Sequence, residues 1–185
     1  LALAAVMQNK GQIFATDSDG RRLTPAIERI TRAGARNIQV RAPRGKADVI
    51  ADLAGRCDLV LVDAPCTGVG AWRRNPDAKW RTRPTALELR RSEQREVLET
   101  AAKCVKSGGA IAYITCSLLR EENEDQIAAF LDRHPDYLPR DAAHMARKAG
   151  VEALAGHASR FGPGIRLAPH VTDTDGFYVS VLVKS

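Results

Sequence analysis

The chain has 185 residues, 44% of them hydrophobic and 27% charged, which suits one globular domain spanning 1–185 with room for a sizeable core. No apolar run approaches the roughly 20 residues of a membrane helix, and the apolar start at Leu1–Met7 lacks the basic flank of a signal peptide, so a cytoplasmic protein with no membrane partner is expected. The net charge of +6 favours an anionic partner, while four cysteines without C-x-x-C spacing and four scattered histidines argue against zinc and for free thiols.

The first eight residues read as a helix ended near Gly11. Ile13 to Thr16 is a predicted strand that runs into Asp17-Ser18-Asp19-Gly20. An acid at that point of a Rossmann-like unit binds ribose hydroxyls, but Asp-Ser-Asp-Gly is equally good turn chemistry, and both readings stand. Arg21 to Ala33 reads as a helix with Leu23, Ile27 and Ile30 on one face and Gly34 at its end. Asn37 to Val40 is the next strand, followed by a loop through Pro43.

Leu59 to Val62 is a short Val/Leu run of the kind buried on both faces of a sheet. Pro65 ends it, leaving Asp63 and Cys66 just past the strand's carboxyl end, where open α/β sheets bind ligands. A glycine-loosened loop then leads to Trp72, Arg73, Arg74, Lys79, Trp80 and Arg81, a composition suited to nucleic acid. The tryptophans can equally serve as packing residues.

Thr85 to about Lys106 reads as a long helix with Leu87, Val97, Leu98, Ala101, Ala102 and Val105 on its apolar stripe. Its charged face is read as solvated, with i,i+4 pairs, in preference to an RNA contact. Ser107-Gly108-Gly109 is taken as its stop, and Ala110 to Thr115 as a buried strand leading to Cys116. Glu121 to Leu131 reads as a helix with an acidic first turn. Residues 136–163 carry no clear pattern beyond loop and a helical turn. Gly176 to Lys184 is a final strand packed on both faces. The alternation of strand and helix predicts an α/β fold, a mostly parallel sheet with helices on both faces.

Cys66 and Cys116 each follow a buried strand, and one helical crossover joins those strands, so both sulfurs are expected in one crevice. A disulfide is one competing reading, disfavoured by the expected compartment. A small buried hydrophobe is another, and it suits Cys57 and Cys104 better, because polar or glycine-rich sequence follows the other two. Without C-x-x-C, a thiol–disulfide oxidoreductase is disfavoured.

Asp63-Ala64-Pro65-Cys66-Thr67-Gly68, Arg73-Arg74-Asn75-Pro76-Asp77-Ala78-Lys79-Trp80, Tyr113-Ile114-Thr115-Cys116-Ser117, Glu121-Glu122-Asn123-Glu124 and Asp175-Gly176-Phe177-Tyr178 occur in that order. Together they resemble the Nop/Sun family of RNA cytosine-5 methyltransferases, most of all its bacterial Sun branch, which modifies small-subunit ribosomal RNA. The resemblance implies a Rossmann-like S-adenosylmethionine-dependent methyltransferase fold, S-adenosylmethionine as cofactor and RNA, expected to be ribosomal, as partner. It makes Cys116 the nucleophile on C6 of cytosine and Cys66 the residue that assists release. Spacing alone leaves that order open, since in DNA cytosine-5 methyltransferases the Pro-Cys thiol attacks, and here Pro-Cys is Cys66. The resemblance also gives Asp63 the N3/N4 edge of the base and a place near the methyl donor, and Asp17 the cofactor ribose. It assigns Arg73, Arg74, Lys79 and Trp80 to RNA.

Two departures accompany the resemblance. The family's first strand and glycine-rich loop would precede Leu1, so the chain by itself is expected to bind cofactor poorly. The loop Arg41-Ala42-Pro43-Arg44-Gly45 lacks the acid that often faces adenine. A tRNA-directed enzyme and a non-catalytic RNA-binding module are the alternatives.

Overall fold

A computed structural model of the chain describes residues 1–45 and 47–185. They form two compact units, Leu1–Leu53 and Ala54–Ser185.

The first unit contains helix α1 (Ala2–Val6), strand β1 (Ile13–Thr16), helix α2 (Gly20–Arg32) and strand β2 (Ile38–Arg41). β1 and β2 pair in parallel, Ile13 opposite Ile38, with α2 as the crossover. Asp19 caps α2 by accepting from the Arg21 amide at 3.0 Å. Gly34, at φ +63°, closes it in the left-handed region. The inward line of α2 is Leu23, Ala26 and Ile30; Ile27, expected on that line, stays 52% exposed because it falls one position beyond Ala26.

The second unit contains strand β3 (Cys57–Asp63), helices α3 (Pro76–Arg81) and α4 (Ala86–Cys104), strand β4 (Val105–Thr115), helix α5 (Glu124–Arg133), strand β5 (Tyr137–Pro139), helix α6 (Ala142–Lys148), strand β6 (Ile165–Leu167), helix α7 (Pro169–Thr172) and strand β7 (Phe177–Lys184). The sheet order is β3-β4-β7-β5, with β6 also on β7. β3 and β4 are parallel, as the βα crossover predicts, and β7 runs antiparallel between β4 and β5.

The core lies on one face of this sheet. Val62, Ile111, Tyr113, Tyr178 and Leu182 meet Leu98, Ala101 and Ala102 of α4 and Ile127 and Phe130 of α5. Side chains alternate along a strand, so the residues between them fall on the other face. Leu59 and Leu61 there remain 47% and 46% exposed, and Val179, Val181 and Val183 are half-buried. The expectation that β3 and β7 are buried on both faces is therefore corrected at these residues: the helices that supply this core sit on one side.

Boundaries also moved. α4 stops at Cys104, and Val105 already belongs to β4. The glycines at 108 and 109 form an irregular start to that strand: Gly108 sits at φ +75°, and a Cβ on Gly109 would lie 2.9 Å from the Cys57 carbonyl oxygen. α5 begins at Glu124, behind a 3₁₀ turn at Arg120–Glu122. Residues 136–163, expected to be mostly loop, hold β5, α6 and a 3₁₀ turn at Glu152–His157. Asp141 caps α6 by accepting from the His144 amide. The charges on α4 pair along the helix, Arg90 with Glu93 and Arg91 with Glu88, at i,i+3 rather than the expected i,i+4 spacing.

Leu98 is 0% exposed, whereas Leu89 on the same helix is 55% exposed. Leu98→Ala should cost about 2–5 kcal/mol and Leu89→Ala less than about 0.5 kcal/mol, read from urea unfolding midpoints.

Candidate active site: two thiols at adjacent strand ends

β3 and β4 pair side by side up to Asp63 and Ile114. One further rung, from the Ala64 amide to the Ile114 carbonyl at 2.9 Å, carries the pairing past Asp63. Pro65 then breaks the ladder. Cys66 and Cys116 therefore leave neighbouring strands at the same level, and their sulfurs lie 3.4 Å apart. Both are free thiols of intermediate exposure.

The two sulfurs do not titrate alike. A hydrogen bond from Cys66 lowers the Cys116 thiol to about 7, against the desolvation that raises it. Cys66 moves the opposite way, raised by its hydrogen bond to Cys116 and by burial. The negative charge of the pair is therefore favoured on Cys116 at neutral pH. Asp63, exposed at the end of β3, opposes this by repulsion, as does Glu122.

The loop after Cys66 is drawn against the end of β4. Gly68 takes φ +71° and starts a 3₁₀ turn at Val69–Ala71. The Gly70 amide donates to the Cys116 carbonyl at 3.0 Å, and the Gly70 carbonyl accepts from the Gly176 amide at 2.8 Å. Three backbones thus cross at Gly70 with no room for a Cβ: it would lie 2.8 Å from the Cys116 oxygen and inside van der Waals contact with the Gly176 carbonyl.

Beneath the loops lies a buried polar cluster. Glu122, Asn123, Gln94, Thr115 and Ser117 are all 0% exposed. Glu122 accepts from the Thr67 amide at 2.8 Å, and Gln94 donates to the Pro65 carbonyl at 2.8 Å. Asn123 accepts from the Thr115 hydroxyl at 2.6 Å and donates to the Ser117 carbonyl at 3.0 Å. Sequence reasoning quoted Glu122 and Asn123 only as part of a motif and missed Gln94. The signal for Gln94 was its position on the apolar stripe of α4, four residues before Leu98.

The cations expected on RNA divide into two pairs. Arg73 and Arg74 both bond Asp175, whose side chain is only 6% exposed. Burial would raise that carboxyl, but the hydrogen bonds from Arg74 and Arg73 hold it below the ordinary range. These guanidinium groups anchor the loop after Cys66 to the segment before β7. Lys79 and Trp80 lie on α3, a short helix where sequence placed only loop. Trp80 is 81% exposed, which removes the packing reading for it, and the Lys79 ammonium sits 5.1 Å from its ring centroid. A cavity of about 670 Å³, lined by Thr67, Val69, Trp72, Lys79, Arg83 and Leu118 among others, opens beside the thiol loops.

Asp17, in the first unit, follows β1. Its Oδ1 accepts from the Asp19 amide at 2.8 Å, so the turn reading is realised, and Oδ2 is 3.9 Å from Arg22. The carboxylate remains partly exposed and can accept from a vicinal diol through Oδ2. Among the described residues no group of His, Cys, Asp and Glu is placed to hold a metal ion, and no helix is long and apolar enough to cross a membrane.

The architecture is a Rossmann-like S-adenosylmethionine-dependent methyltransferase fold. Residues 2–183 match the family described as 16S rRNA methyltransferase RsmB/F, and the chain belongs to that family. It is 34% identical over 175 residues to the ribosomal RNA small subunit methyltransferase B of Yersinia pseudotuberculosis serotype O:1b (strain IP 31758), covering 95% of this chain and 37% of that protein. The chain thus spans less than half the length of the curated relative. It is also similar to the crystal structure of PH0851 (TM-score 0.86, 32% identity, 98% of this chain and 39% of that one). The crystal structure of NSun6 from Pyrococcus horikoshii with SFG is likewise similar (TM-score 0.76, 27% identity, 98% and 44%). The Nop/Sun resemblance read from the motifs is borne out, and relatives in this family depend on S-adenosylmethionine.

Gly70→Ala tests the backbone crossing. It should destabilise the chain by about 1–3 kcal/mol, measured by urea unfolding, because the three atoms nearest the added methyl are all backbone.

Proposed function

We propose that this chain is the catalytic domain of an RNA cytosine-5 methyltransferase acting on ribosomal RNA through a cysteine–C6 adduct. The observation that carries the reading is the pair of thiols 3.4 Å apart, with the acidic member at Cys116.

C5 of cytosine is a poor nucleophile until C6 is attacked. The Cys116 thiolate adds to C6, the new S–C bond displaces the C5=C6 electron pair, and C5 becomes enamine-like. Asp63, at the end of β3 beside the thiols, hydrogen-bonds the N3/N4 edge and favours protonation at N3 as charge moves into the ring. S-adenosylmethionine, when bound, supplies an electrophilic methyl group. Once C5 carries the methyl, its proton leaves to a base and the C5=C6 bond re-forms. Cys116 then departs as a thiolate hydrogen-bonded by the Cys66 S–H. The pair of thiols therefore has two tasks, attack and release, and the acidity difference supports attack by Cys116.

The donor set fits the ribose end of the cofactor, since Asp17 after β1 offers a carboxylate oxygen to two vicinal hydroxyls. Trp80 and Lys79 form an exposed stacking and phosphate pair, and the remaining guanidinium donors of Arg73 and Arg74, 48% and 63% exposed, face phosphates. The target base has to be unstacked to reach the sulfurs.

RNA carrying 5-fluorocytosine traps the adduct, because C5 then has no proton to lose. Cys116→Ala should abolish a denaturant-stable adduct, whereas Cys66→Ala should form it and, on ordinary cytosine RNA, accumulate it. Adduct from Cys116→Ala but not from Cys66→Ala would reverse the assignment. Salt-sensitive RNA binding with no adduct from the unmodified chain would make it an RNA-binding module instead.

The pH dependence follows from the lowered thiol. The reactive thiolate is present above about 7 and is lost as pH falls through that value. Adduct formation should therefore rise through pH 7 and level off above it, measured by gel shift across pH 5.5–9 (range chosen to bracket the thiol, about 8.5 unperturbed).

A further inference from the structure

Glu122 is a carboxylate with no exposed surface, and all its hydrogen-bonding partners are neutral. Oε1 accepts from the Thr67 amide at 2.8 Å and from Gln94 Nε2 at 3.2 Å. Oε2 accepts from the Thr67 hydroxyl at 2.6 Å and from the Ser117 hydroxyl at 2.5 Å. Four donors fill the acceptor capacity of the two oxygens. A buried carboxylate without a cation is a costly way to hold a fold together, so its partners are informative. Thr67 follows Cys66, Ser117 follows Cys116, and Gln94 also holds the carbonyl of Pro65, the residue before Cys66. Two anchors keep Glu122 itself in place: the Tyr113 hydroxyl donates to its carbonyl at 2.8 Å, and neighbouring Asn123 bonds Thr115 and Ser117.

We propose that Glu122 is a positioning residue for both thiols, one carboxylate that ties the backbone around Cys66 to the residue after Cys116 and so sets the distance between the sulfurs. Its catalytic importance rests on the reading of Cys116 as nucleophile; its effect on thiol acidity does not.

Charge and position act on Cys116 with opposite signs. The groups facing that thiol are Cys66 from the loop after β3, Asp63 from the end of β3 and Glu122 from the turn before α5. The Cys66 hydrogen bond lowers its pKa, and the two carboxylates raise it. Were Glu122 only a nearby charge in a rigid frame, Glu122→Gln would remove a repulsion and make Cys116 more acidic. As the clamp it would do the reverse. In the amide, Nε2 stands in place of Oε2 and can meet the Thr67 and Ser117 hydroxyls only as a donor, so the four charge-assisted hydrogen bonds become weaker neutral ones, the loops loosen and the Cys66 hydrogen bond weakens.

The test is the pH dependence of iodoacetamide alkylation at Cys116, followed by peptide mass spectrometry on this chain and on Glu122→Gln. In the variant the midpoint should rise from about 7 toward the ordinary thiol value of about 8.5. Adduct formation on 5-fluorocytosine RNA at pH 7 should fall by about 15-fold, the loss of thiolate at that pH as the midpoint moves to about 8.5, with RNA affinity unchanged. A folded Glu122→Gln chain whose midpoint stays or falls overturns the proposal. Where Glu122→Gln does not fold, Thr67→Val combined with Ser117→Ala removes two of the four bonds and keeps the charge. A rise in the midpoint supports the clamp, and no rise overturns it. Alkylation needs neither RNA nor cofactor, so absence of adduct in the unmodified chain counts against the proposed function alone.

Discussion

Two parallel strands that pair over their whole last turn of pleat must also end together. That constraint fixes the second unit of this protein. β3 and β4 are joined rung by rung to Asp63 and Ile114, and the segments that follow diverge from a common edge. Neighbouring strands lie about 4.8 Å apart, which leaves side chains just beyond their ends within reach of each other. A proline at 65 stops one ladder, and on the other strand pairing ends at Thr115. The thiols are thus brought to 3.4 Å by sheet geometry first and by loop structure second.

Loop structure is needed because a strand end alone is not rigid. Three backbones cross at Gly70, where only glycine fits, and the Arg73–Arg74–Asp175 cluster fastens the far side of the same loop. A second cluster holds the other side: Arg166 bonds the buried Glu124 and donates to the Leu118 carbonyl at 3.0 Å, two residues past Cys116. Each of these ties spans a long stretch of sequence and is partly buried, so leaving one member unpaired would cost on the order of 1–3 kcal/mol. The hydrophobic core supports the arrangement from one face only, through α4 and α5, and Gln94 is where that core and the polar cluster meet.

Much of this was legible in the chain. Runs of Val, Ile and Leu marked β1, β3, β4 and β7, and the crossover between β3 and β4 implied that Cys66 and Cys116 were neighbours. The parts that were not legible share a cause: they depend on partners far away in sequence. β5 and β6 are three residues each and exist because β7 offers them an edge. α4 ends at Cys104, earlier than its composition allows, because Val105 is already opposite Cys57. Arg73 and Arg74 look like free cations until Asp175, a hundred residues on, is found between them. Leu59 and Leu61 read as fully buried because a strand's own sequence does not say on which face its helices lie.

The electrostatics of the thiol pair show why the polar cluster is where it is. Two carboxylates, Asp63 and Glu122, face Cys116 and both disfavour its thiolate. A thiol in such surroundings would ordinarily be less reactive than one in water. Its acidity is rescued by a hydrogen bond from Cys66, and a hydrogen bond falls away within a few tenths of an ångström, whereas charge repulsion declines slowly with distance. The balance at Cys116 is therefore far more sensitive to where Cys66 sits than to how many charges lie nearby. A fold that needs one acidic sulfur among carboxylates must control that single distance. The buried network across Pro65, Thr67, Ser117 and Glu122 is built to do so, holding both ends of the pair by residues one step along the chain from each sulfur.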